Sequence, residues 1–138
     1  GHAHTSGDVV VTFERADVAH MGDLLFNQRH PVVDRAAGAS LRNWISVLEN
    51  AAKDHDKDTV FIAGHANTNL PVTGERAMVL QFRDYVTALL AFVGAQIKAG
   101  KSRDEILAAW TTFSGPPQAL ALPSVEKIVD AVKAVTYR

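Results

Sequence analysis

Three short runs of apolar and β-branched residues set the architecture of this chain. DVVVTF (8–13), DVAHMGDLLF (17–26) and TVFIAG (59–64) are bounded by polar or glycine-containing breaks, so each reads as a strand. Only ERAD (14–17) stands at the junction of the first two, a tight connection that makes them antiparallel neighbours. TVFIAG is apolar almost throughout and is expected to be buried on both faces of its sheet.

Helical patterns fill the intervals. Ser40 is an N-cap for SLRNWISVLENAAK, in which Leu41, Trp44, Ile45 and Leu48 share one face. DHDKD (54–58) is a solvated break. A long helix is predicted from about residue 75 to Ala99, with Met78, Val79, Phe82, Val86, Leu89, Leu90, Val93 and Ile97 along one stripe and Gly100 ending it. Ser102 and Glu105 form a capping box for SRDEILAAWTTF. GPP (115–117) breaks the chain, and PSVEKIVDAVKAVTYR reads as a last amphipathic helix. Two segments, NQRHPVVDRAAGA (27–39) and HANTNLPVTG (65–74), read as loops. The first carries Pro31 and Gly38, lacks periodicity and has a length that often marks function.

Composition narrows the chemistry. At 138 residues the chain holds one domain with a core of its own. Fourteen Lys and Arg against fifteen Asp and Glu give a net charge of -1, with no basic footprint for nucleic acid or anionic lipid. No run of eighteen or more apolar residues is present, so no membrane span is expected. Without cysteine, any metal must be held by His, Asp or Glu, a set that suits zinc, iron or manganese at a reactive site.

Ligand-binding groups in open α/β sheets gather where strands end. His4 stands at the entrance to the first strand, Asp23 at the exit of the second, which is expected to end near Gly22-Asp23, and His65 at the exit of the third. Gly22 and Gly64 precede two of them and let the backbone come close to a ligand. Two histidines and a carboxylate are a plausible metal set. The other histidines read more plainly. His55 lies solvated in a charged run. His20, alternating with Val18, reads as packed, or as supporting a ligand, rather than as a ligand itself. His30 faces a substrate pocket or stands exposed in its loop. His2 neighbours His4 or belongs to an unstructured start.

The order HTSGD, VAHMGDLLF, a loop with HPVVD, SLRNWISVLENAA and DTVFIAGHA resembles the C-terminal half of a metallo-β-lactamase-fold hydrolase. The resemblance runs from residue 3 to about residue 68, with the helices to about residue 112 in the same order. It implies an α/β fold, half of an αββα sandwich with a mixed sheet flanked by helices, over a single domain 1–138. His4 would join the metal held by first-half histidines, Asp23 would bridge both metals, and His65 would bind the second. Asp23 would also orient the nucleophilic water, its catalytic role. The implied cofactor is zinc, two ions in the intact protein, with iron or manganese as alternatives.

Departures refine that expectation. The family's HxHxDH is absent, since HAHTSGD has Ser6 and Gly7 where Asp and His would stand. The usual Pro-Gly-His-Gly is Ala63-Gly64-His65-Ala66. The cysteine ligand of many true metallo-β-lactamases has no counterpart here, and a bridging Asp resembles the broader hydrolases, glyoxalase II-like thioesterases included. The chain is therefore expected to be a fragment or one chain of a split protein, inactive alone, that pairs with the missing N-terminal half or with a second copy. The intact protein would hydrolyse a small-molecule ester, thioester or amide. The alternative is a non-catalytic half-domain acting as an interaction or assembly module.

Overall fold

A hairpin begins the sheet. β1 (Val11–Phe13) and β2 (Val18–Asn27) run antiparallel, with Val11 opposite His20 and Phe13 opposite Val18. Between them Glu14–Ala16 make one 3-10 turn, closed by Asp17 at φ 50, a left-handed conformation that aspartate tolerates better than most residues. This is a computed structural model that describes residues 2–112 and Val129. GPP (115–117) and all but Val129 of the last predicted helix lie outside the described residues. The first strand is shorter than the predicted 8–13, because the Asp8 side chain turns back to bond Ala3 and Thr5 and the ladder begins only at Val11.

Ser40 caps α1 (Leu41–Asp54) as predicted, its side chain accepting the Asn43 N–H at 3.4 Å. β3 (Val60–Ala66) then pairs parallel to β2, Val60 beside Val18 and Phe61 beside Ala19. A further strand lies in the segment read as loop: β4 (Thr73–Gly74) pairs antiparallel with Phe61 and Ile62, completing a mixed sheet in the order β1-β2-β3-β4. Two residues carry no periodicity, so tertiary pairing alone makes this strand. α2 (Arg76–Lys98) follows, and Gly100 at φ 74 ends it. Ser102 and Glu105 complete their capping box at the start of α3 (Arg103–Ala108), beyond which residues 109–112 tighten into a 3-10 turn. The fold is thus α/β, with three α-helices and four strands among the described residues.

The core lies between one sheet face and the helices. Trp44 and Leu48 of α1 and Phe82 and Leu89 of α2 are fully or almost fully buried with Phe26 and Phe61 from the sheet. The Trp44 indole N–H donates to the Leu24 carbonyl at 2.8 Å, so its one polar atom is satisfied. By length and composition α2 could cross a membrane, yet eight of its residues, Met78 to Ile97, are buried in this core.

The other sheet face has no covering layer among the described residues. Directly paired residues share a face, so Val11, His20 and Ile62 lie in one row and Phe13, Val18 and Val60 in another. Phe13 is 53% exposed and Val60 40%. β3 is consequently buried on one face only, a correction to the expected burial on both. Its Phe61 and Ala63 point to the core while Val60 and Ile62 point away.

Candidate metal centre

Asp23 owes its place to a break in β2. Pairing with β3 shifts register between His20 and Gly22 and again between Gly22 and Phe26, with Gly22 at φ 52. Such a bulge re-aims the following side chain. Asp23 therefore lies inside β2 rather than at its exit, and His65 is the penultimate residue of β3 rather than a loop residue beyond it. Both belong to strands longer than the sequence indicated.

Gly64 makes their meeting possible. A Cβ at Gly64 would stand 2.6 Å from both Asp23 Oδ1 and the Gly22 carbonyl carbon, so only glycine fits beneath the carboxylate. His65 Nε2 then lies 3.2 Å from Asp23 Oδ1, and His4 Nε2 lies 4.0 Å from Asp23 Oδ2. The three residues singled out in the sequence thus come together, each imidazole facing a different oxygen of one carboxylate. Asp23 and His65 are roughly half exposed, and the His4 side chain is mostly buried.

His4 is held by a structured loop. Ser6 N–H donates to the Ala37 carbonyl at 2.9 Å and Ser40 N–H to the Ala3 carbonyl at 2.8 Å, pinning residues 3–6 against the segment ahead of α1. Ala3 is fully buried. Gly38, at φ 92, faces Ser6 and the His2 ring with no room for a side chain. His2 is exposed beside it, so the start of the described chain is ordered by contact with this loop.

Aromatic rings back the site. Phe26 stacks on His65 with centroids 5.0 Å apart and lies 6.2 Å from His4. Trp44 meets His4 edge-on at 5.4 Å. Sequence reading assigned Trp44 to the core and gave Phe26 no role. Its position three residues after Asp23 on an apolar strand was the only available signal.

The remaining histidines have structural work. His30 is buried, not an exposed loop residue: it hydrogen-bonds the Tyr85 hydroxyl and packs edge-on against Trp110. His55 is half-buried rather than solvated. Its Nδ1–H donates to the Ala51 carbonyl at 2.9 Å, which leaves Nε2 to accept the Thr12 hydroxyl at 3.0 Å and ties the end of α1 to β1. His20 sits exposed on the uncovered sheet face, its Nδ1 accepting the Gly22 N–H at 3.2 Å within the bulge.

The donor set fits borderline metal ions, with two imidazole Nε2 atoms and two carboxylate oxygens facing one another. Two donors on one tetrahedral zinc stand about 3.3 Å apart, close to the His65–Asp23 separation. Among the described residues no group of three or more His, Asp or Glu is arranged to enclose one ion. The arrangement is thus an open set of donor atoms rather than a closed cage.

Residues 1–65 match the family model of the metallo-beta-lactamase superfamily. That span contains His4, Asp23 and His65. No curated protein matches the chain.

Proposed function

We propose that this chain supplies one half of a two-metal hydrolytic centre, in which His4 would help hold one metal ion, His65 the other, and Asp23 would serve both. The observation that carries the reading is the pairing of the two Nε2 atoms with separate oxygens of one carboxylate. The superfamily match over residues 1–65 supports a hydrolase fold. When bound, such a metal pair supplies an activated water for attack on an ester, thioester or amide carbonyl. Zinc suits the nitrogen and oxygen donors, with iron or manganese as alternatives. Asp23 would fix the spacing of the two histidine sites and orient a nucleophilic water there. Phe26 and Trp44 restrict water on the inner side of the imidazoles.

The uncovered sheet face fits the same reading. Val9, Val11, Phe13 and Val60 are exposed apolar side chains, and Val11, Phe13 and Val60 are aligned by strand register. This face packs against the first half of the fold, which brings the remaining ligands. The alternative reading, a non-catalytic assembly module, uses the same face without metal.

Zinc titration of the 138-residue chain separates the two. The expected result is weak binding that falls by at least about tenfold in Asp23→Ala, with negligible hydrolysis of esters, thioesters or lactams by the chain alone. Absence of any zinc binding favours the assembly module. Tight binding of two zinc ions by the chain alone overturns the half-site.

A further inference from the structure

Asp8 carries more hydrogen bonds than any other side chain around His4. Its carboxylate accepts the Thr5 N–H at 2.9 Å, the Thr5 hydroxyl at 2.7 Å and the Ala3 N–H at 3.2 Å. The amides of the residues on either side of His4 are therefore tied to one group. The Thr5 hydroxyl is itself oriented, because it accepts the Gly7 N–H at 3.1 Å while donating to Asp8. The Asp8 side chain is 9% exposed, so the charge is largely withdrawn from water and answered by these donors.

The same carboxylate addresses the His4 ring. Asp8 Oδ1 lies 3.9 Å from Nδ1, while Nε2 on the other side of the ring looks toward Asp23. The Asp8 charge favours a proton on Nδ1 and the Asp23 charge one on Nε2, at nearly equal distances, so Asp8 offsets the pull of Asp23 and keeps the Nε2 lone pair accessible. We infer that Asp8 is a positioning residue for His4: it clamps the turn that carries the histidine and favours the tautomer that presents a bare Nε2 to Asp23. Carboxylates that orient a ligating histidine typically change metal affinity by about ten- to a hundredfold when removed. Thr5 acts through Asp8 as a further donor, and Gly7 keeps that donor aimed.

The inference rests on His4 being a metal ligand, but its test does not depend on that alone. Long-range nitrogen–proton NMR on the metal-free 138-residue chain, at a pH where the imidazoles are neutral, reads the tautomer of each histidine. The wild-type chain is expected to show a share of His4 protonated at Nδ1. Asp8→Asn is expected to move His4 toward the Nε2–H form, leave His65 unchanged and speed amide exchange at Ala3 and Thr5 by at least about tenfold. Thr5→Val keeps the carboxylate and the amide bonds to it but removes the hydroxyl, so Gly7 exchange rises while His4 keeps its tautomer. This milder variant also guards against an Asp8→Asn chain that does not fold.

Zinc alone is the second probe. Its affinity is expected to drop about ten- to a hundredfold in Asp8→Asn. A His4 tautomer unchanged in Asp8→Asn, a His65 signal that moves as far as that of His4, or unchanged Ala3 and Thr5 exchange in Asp8→Asn overturns the positioning role. If the wild-type chain binds no zinc, the metal reading fails, and the metal-free signals still decide what Asp8 does.

Discussion

The two faces of the sheet are built from the same strands and have opposite fates. On one, Ala19, Met21, Phe61 and Ala63 are buried under α1 and α2. On the other, residues one step along the same strands, such as Val60, stay in contact with water, as does Phe13 beside them in β1. Period-two alternation usually separates apolar from polar, and here it separates apolar from apolar. Exposed apolar patches of this kind mark interaction sites in stable proteins. The covered face should therefore carry the chain's stability, and the open face its association.

The largest effect should come from the covered side. Trp44→Ala removes a fully buried indole that packs against Phe26, Phe82 and His4, and it leaves the Leu24 carbonyl without its donor. A loss of about 3–5 kcal/mol is expected in denaturant unfolding. A loss below about 1 kcal/mol would mean that the helices are not what holds the sheet.

A pH test probes the same layer. Burial holds the Tyr85 phenol above its ordinary value of 10.0. Below that pH both folded and unfolded chains keep the proton. Above it the unfolded chain loses the proton first, so stability falls with rising pH by about 1.4 kcal/mol per unit from this one group. Unfolding midpoints measured from pH 9 to 11 in wild type and Tyr85→Phe should diverge, about in that proportion, with the variant flatter. Parallel curves would show that Tyr85 reaches water.

The smallest stability effect belongs to the open face. Phe13→Ser should alter unfolding by no more than about 0.5 kcal/mol, since the ring is half exposed already. Sedimentation equilibrium gives the contrast. The wild-type chain is expected to pair at high micromolar concentration, and Phe13→Ser to pair less. A wild-type monomer with no dye-binding apolar surface would remove the distinction between the faces.

Local signals made much of this fold legible. The hairpin, the Ser40 cap, the stripe of α2 and the Ser102–Glu105 box each follow from residues within one turn or one pleat, and each appears in the structure. The meeting of His4, Asp23 and His65 was legible only through the order of short motifs, because no local spacing relates residues on a loop and two strands. What escaped was set by distant partners. His30 is buried because Tyr85 lies 55 positions later in the chain. β4 exists because Phe61 and Ile62 offer it an edge. His55 is tied to Thr12, 43 positions earlier. Asp8 had a nearer signal, a threonine three residues before it, a spacing at which side chains bond local backbone.

The parallel pairing of β2 with β3 also orders events in time. β1 and β2 are joined by a single turn, so their pairing closes a short loop and costs little chain entropy. Asp23 and His65 are 42 positions apart (65 minus 23), and the intervening chain includes all of α1. Contacts between such distant positions form slowly, since the chain must be ordered before the contact gives anything back. The site cannot exist until that crossover has closed. A metal ion that needs both residues therefore binds only chains that have completed the crossover, and it draws the folding equilibrium toward them in proportion to its concentration. Nascent chains that stall with the hairpin made and the crossover open would present Asp23 without His65, a set one imidazole short.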